Sequence, residues 1–147
     1  MGTKLDRAVT AVLLERAGIR VATDGVRGGP CIAISGISDA RGTRRLSVGV
    51  IIEGESRPRV LVTRTCPVLE FEASAIVERL ASGGIPVGEA RLRAMLVHLV
   101  IAASKLFIEN GLESFRLSLI APAKGSYQVI DAELCVEGSA PQMKDLS

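Results

Sequence analysis

One stretch, Gly88 to Val136, limits what this chain can fold into more than any other. From Glu89 to Glu109 the apolar residues Leu92, Met95, Leu96, Leu99, Val100, Ala103, Leu106 and Phe107 recur at i, i+3, i+4 and i+7. That is the spacing of a helix with a single buried stripe. Asn110-Gly111 ends it, because glycine accepts left-handed backbone just past a helix terminus. Two strand-like runs follow, 115–121 and 127–136, joined by Pro122-Ala123-Lys124-Gly125-Ser126. A long one-sided helix next to a hairpin needs a sheet to lie on, so the stretch predicts a layered α+β fold.

The rest of the chain fits that plan. Residues 46–52 and 59–63 are β-branched runs around a Gly- and Pro-containing loop, which predicts a second hairpin. Both runs are apolar on both faces at their centres, so cover on two sides is expected. Cys31 to Ser35 and Ile19 to Thr23 read as short strands, and Gly36 to Arg44 as a polar loop. Ala8 to Leu14 suits a strand or a short helix. Residues 72–81 have helical spacing at Ile76, Val77 and Leu80, closed by Gly83-Gly84. The expected fold is a single α+β domain over 1–147, its sheet mixed or antiparallel, with the helices on one face. Residues 1–8 and 138–147 read as loose tails.

Composition removes several classes of function. Apolar residues make up 48% of the chain and charged residues 23%, so it is globular. Aromatic residues are 3% and Trp is absent, which argues against a stacking platform for nucleic acid. The net charge of +2 is uneven: residues 1–66 hold 11 Lys/Arg against 6 Asp/Glu, residues 67–147 hold 7 against 10. A basic first half admits an anionic partner or simply a solvated basic face. Cys31, Cys66 and Cys135 form no C-x-x-C pair, which argues against zinc and for free thiols in a reducing cytosol. No apolar run reaches about 18 residues and no signal peptide is legible, so a cytoplasmic protein with no membrane contact is expected.

Candidate site residues are few. Gly25 to Pro30 is glycine-rich but matches neither phosphate-binding motif, so a plain loop competes with a phosphate cradle. His98 is the lone histidine, about 100° around the helix from Leu99, and no Ser or Cys pairs with it in a triad-like context. Arg41, Arg44 and Arg45 make a compact basic group, either a solvated loop or a cofactor anion site using the planar guanidinium fork. Asp131 is an acid inside an apolar strand. Alternation puts it on a face with Val129 and Glu133, where it either meets solvent or holds a divalent ion.

At this point the residues resemble a known family. Lys105-Leu106-Phe107-Ile108-Glu109-Asn110-Gly111, the strand 115–121, Gly125 and Val129-Ile130-Asp131-Ala132 look like the end of the ATP-grasp domain in the succinyl-CoA synthetase β subunit. That family has a helix ending in a similar Lys-Leu-Phe run, a Val-Glu-Ile-Asn-Pro-Leu strand, a Gly turn and a Leu-Asp-Ala-Lys strand. Residues 46–52 and 58–62 resemble its earlier hairpin. The resemblance covers residues 9–136 and one lobe only. It implies Mg and ATP as cofactors, with Asp131 and Ser118 in the family's metal-binding positions. It also implies a partner subunit that supplies the missing lobe, or a homo-oligomer. The departures are equally specific. Ser118 stands where the family has Asn, Arg116 where it has Glu, and Arg45 where it has an acid. Arg64-Thr65-Cys66-Pro67 replaces its Glu-Gly-Gly. Three readings follow: a partial ATP-grasp-like subunit of an acyl-CoA ligase, inactive alone; a non-catalytic module that kept the fold; or an α+β domain binding a small anion or nucleic acid through Arg41, Arg44 and Arg45.

Overall fold

The structure is a computed structural model that describes residues 2–19, 21, 30–52, 54–85, 90–120 and 127–137. Six strands form one sheet in the order β1-β6-β5-β2-β3-β4, every neighbouring pair antiparallel. The strands are β1 (Gly2–Lys4), β2 (Pro30–Ser38), β3 (Arg44–Ile52), β4 (Val60–Thr65), β5 (Leu112–Ile120) and β6 (Gln128–Glu137). The helices are α1 (Arg7–Arg16), α2 (Glu70–Leu80) and α3 (Ala90–Glu109). The two predicted hairpins lie in one sheet, joined where β2 pairs with β5.

The core explains why the three helices share one face. Ile32 and Ile34 of β2, Leu46, Val48 and Val50 of β3, Val62 of β4, and Phe115, Leu117 and Leu119 of β5 are all buried. Each sits at every second position of its strand, so they line one side of the sheet. Against them pack Val9, Leu13 and Leu14 of α1, Ile76, Val77 and Leu80 of α2, and Leu96, Val100, Leu106 and Phe107 of α3. Local chemistry fixes each helix. Asp6 caps α1, its Oδ1 accepting the Val9 amide at 2.8 Å. Glu72 reaches back to the Leu69 amide at the start of α2. After α3, Gly111 takes φ +58° and the Asn110 side-chain amide donates to the Leu106 carbonyl.

Several expectations change. Gly2–Lys4 is an edge strand paired with β6, and Leu5 is buried, so this segment is no loose tail. Ala8 to Leu14 lies in a helix. Gly36, Ile37 and Ser38 extend β2, and the β2–β3 turn is only Asp39 to Thr43. Asp39 holds that turn by accepting the Arg41 and Thr43 amides on its Oδ1, with Gly42 at φ +82°. The β3–β4 hairpin is covered by helices on one side only. Its other side carries Arg45, Ser47, Ile51, Leu61 and Thr63, and Leu61 is 58% exposed. Leu99 is half-buried and not a full core residue. The 25–29 glycine run, most of the 19–23 strand, the 122–126 connection and the 138–147 tail lie outside the described residues.

Candidate functional site

The face of the sheet away from the helices gathers most of the candidate residues. Register defines it as rows running across the strands. Asp131, Ser118, Ala33, Gly49 and Leu61 make one row, and Glu133, Arg116, Ser35, Ser47 and Thr63 the next. Cys135, Ser114, Ile37, Arg45 and Thr65 make a third. The middle of the face is floored by small side chains, with Arg45, Arg116, Asp131 and Glu133 rising around it.

Ser118 and Asp131, far apart in sequence, stand directly opposite each other on β5 and β6. A β-bulge produces that pairing. Ser118 faces Asp131 while Leu119 faces Val129, so Ile130 has no partner. The extra residue shifts the alternation by one. Val129 therefore turns into the core, 2% exposed, while Asp131 is exposed on the opposite face. This corrects simple alternation, which put Asp131 and Val129 together; Asp131 does share its face with Glu133. One Asp131 oxygen accepts the Ala132 amide at 3.0 Å. Glu133 makes an ion pair with Lys4 of β1 at 3.6 Å.

The three clustered arginines separate. Arg41 is exposed on the β2–β3 turn. Arg44 and Arg45 are adjacent in a strand and so point to opposite faces. Arg44 lies on the helix side, its guanidinium 5.6 Å from the Phe107 ring centroid and its Nε buried with no partner among the described residues. Arg45 is exposed on the open face. Arg44 also neighbours Cys66, whose thiol is pushed up by burial, opposed by a bond to Ser104 and by the Arg44 charge. Ser104 is itself buried and its Oγ accepts the Val68 amide at 3.0 Å. This cluster ties the end of β4 to α3 and reads as structural.

A metal can be weighed against this donor set. Mg²⁺ keeps several waters and takes one or two carboxylates plus substrate phosphates. Asp131 and Ser118 fit that limited contribution. A metal held by protein alone does not fit, because no group of three or more His, Cys, Asp or Glu residues could hold an ion among the described residues. Arg116 also stands two positions from Ser118 on the same face, adding positive charge where the ion would lie.

His98 is elsewhere. It is exposed on α3 and lines two clefts, one between α1 and α3 and one between α3 and the start of β6. The larger, about 760 Å³, is mainly apolar, with Met95, Leu99 and Val129 in its walls. Tyr127 also lines it, its phenol pushed up to about 12 by burial. What the sequence did not yield is the row of hydroxyls, Ser35, Ser47 and Thr63, with Ser47 Oγ and Thr63 Oγ1 hydrogen-bonded at 3.0 Å. A single serine on the open face of each of β2 and β3 was its only signal.

No protein-family model matches the chain, and no curated protein matches it in sequence. Solved structures do. Dinucleotide-forming acetyl-coenzyme A synthetase 1 of Ca. Korarchaeum cryptofilum, in complex with coenzyme A and Mg-AMPPCP, superposes with TM-score 0.61 at 18% identity, over 77% of this chain and 55% of that one. The same enzyme with coenzyme A, acetyl-coenzyme A and a phosphorylated phosphohistidine segment gives 0.58 at 17%, over 76% and 52%. A protein of Pyrococcus horikoshii Ot3 gives 0.63 at 15%, over 78% and 52%. The chain thus spans about half the length of the solved structures it matches. The likeness is one of fold, shared with solved acetyl-coenzyme A synthetase structures, and it does not single out the succinyl-CoA synthetase β subunit.

Proposed function

We propose that this chain is one lobe of an ATP-grasp-like acyl-CoA ligase, completed by a partner chain that supplies the second lobe. Its open sheet face is the side turned towards the nucleotide. The observation that carries this is the one-sided architecture. Among the described residues the three α-helices cover one face, and the other face holds Asp131 opposite Ser118 with Arg45 and Arg116 close by. The structural neighbours support it, since one of them is a complex with Mg-AMPPCP and coenzyme A. In this reading Asp131 and Ser118 would be the residues that hold the Mg²⁺ of the nucleotide. Bound there, the ion would offset phosphate charge. The arginines orient the phosphates, and the partner lobe closes over them and excludes water.

The test is reconstitution. The pure chain with Mg-ATP, acetate and coenzyme A is expected to release no ADP. Adding the partner chain with which it co-purifies should give ADP and acyl-coenzyme A together, lost in Asp131→Asn. A reconstituted pair that forms no acyl-coenzyme A with any short carboxylic acid contradicts the reading. A second reading, a non-catalytic module that kept the fold, is favoured by Arg116 beside the Ser118–Asp131 pair. It predicts partner binding with turnover indifferent to Asp131→Asn.

A further inference from the structure

We infer that Arg45 and Arg116 clamp the phosphate chain of a nucleotide on the open face, and that this grip needs no divalent cation. The inference rests on the reading of that face as the nucleotide side and assigns it a different recognition chemistry.

Geometry comes first. Arg116 is in register with Ser35 of β2, which is in register with Ser47 of β3, and Arg45 lies two residues from Ser47 on the same face. The two arginines are thus two strands apart, roughly 10 Å across the sheet, and one step of about 7 Å along it. Ser35 and Ile37 of β2 lie between their strands, and Ser47 stands beside Ser35, two residues from Arg45. An extended arginine side chain is long enough to reach over that floor from each side, and each guanidinium can give a phosphate two parallel hydrogen bonds.

Charge comes second. Both guanidinium groups are exposed, and neither has an ion pair or hydrogen bond among the described residues. The acid in register with Arg116 is Glu133 across the β5–β6 ladder, and Glu133 is engaged by Lys4 at 3.6 Å. Strands β2, β3 and β4 carry no Asp or Glu, so no acid of those strands neutralises Arg45. The floor adds hydroxyls, and the Ser47–Thr63 pair shares one hydrogen bond and keeps a second proton for an acceptor above. Two arginines without an ion pair among the described residues, beside hydroxyls and with one carboxylate at the margin, suit a polyanion better than a bare metal ion.

The experiment is calorimetric titration of the full chain with inorganic tripolyphosphate, and separately with ATP, in excess EDTA. Binding of both is expected, with tripolyphosphate competing against ATP and affinity falling as salt rises. Arg45→Gln and Arg116→Gln should each weaken binding about tenfold or more, as loss of a charge-assisted contact does. Arg116→Lys should recover only part of it. Thermal midpoints of the variants should match the parent, since both side chains are exposed. Binding that needs Mg²⁺ and is lost in Asp131→Asn overturns the inference but leaves the ligase-lobe reading standing. ATP binding that tripolyphosphate does not displace, binding indifferent to both arginine variants, or no binding at all also overturns it. The ligase-lobe reading itself stands or falls on partner-dependent turnover.

Discussion

Gly36 sits where the sheet meets two aromatic rings. A Cβ built there would lie 2.4 Å from Phe115 Cε1 and 2.6 Å from Phe107 Cε2. The two rings pack edge to face with centroids 5.1 Å apart, and both are buried. Gly36→Ala must therefore displace a ring, and is expected to cost about 1–3 kcal/mol as overpacking does, read as a lower urea midpoint at constant m-value. The sequence presents Gly36 only as a loop signal, because the rings that require it are more than seventy positions away. Asp131 is similar. Its oddity as an acid in an apolar strand was legible, but its face depended on the bulge at Ile130, which no local residue announces. Tyr127 offers a direct reading of burial, since it is the lone tyrosine and Trp is absent. Ultraviolet titration should show a midpoint about 12 in the folded chain and near the ordinary 10.0 when unfolded. The sign follows: the neutral phenol is favoured by folding, so its contribution is complete below the unfolded value and lost as pH rises through the folded one.

The long helix shows how an element divides its work. Leu96 is fully buried against the sheet, whereas Leu99 lies half-buried at the wall of the cleft shared with Tyr127. Leu96→Ala should cost about 2–5 kcal/mol, and Leu99→Ala clearly less, both measured by chemical denaturation. Equal costs would mean the helix is rotated from its observed seat. Ser104 of the same helix holds the Val68 amide, so Ser104→Ala should cost about 1–3 kcal/mol by leaving a buried donor unmet. The helix and both hairpins were legible because each carries its own period. The edge strand β1 was not, since three residues have no period to read and their partner, β6, is the last strand in sequence. The β2–β3 turn was misjudged because Asp39 supplies the hydrogen bonds that let five residues replace an expected nine.

At the scale of the whole molecule, one covered face and one open face explain most of what the sequence left ambiguous. Strands that look apolar throughout become one-sided once paired, because Ala33, Gly49 and the serines make the open face small rather than greasy. Scattered apolar residues such as Ile37 and Leu61 remain there, 67% and 58% exposed. They give a second lobe something to rest on without making a continuous apolar patch. No helix of the described residues is long and apolar enough to cross a membrane. The central claim is that the open face is where the nucleotide's phosphates lie, and amide chemical-shift mapping tests it most directly. Adding ATP to ¹⁵N-labelled chain should move the signals of Ser35, Ser47, Arg116, Ser118 and Asp131 across four strands, while those around His98 stay in place. Shifts confined to the cleft between α1 and α3, or none at saturating ATP, would contradict it.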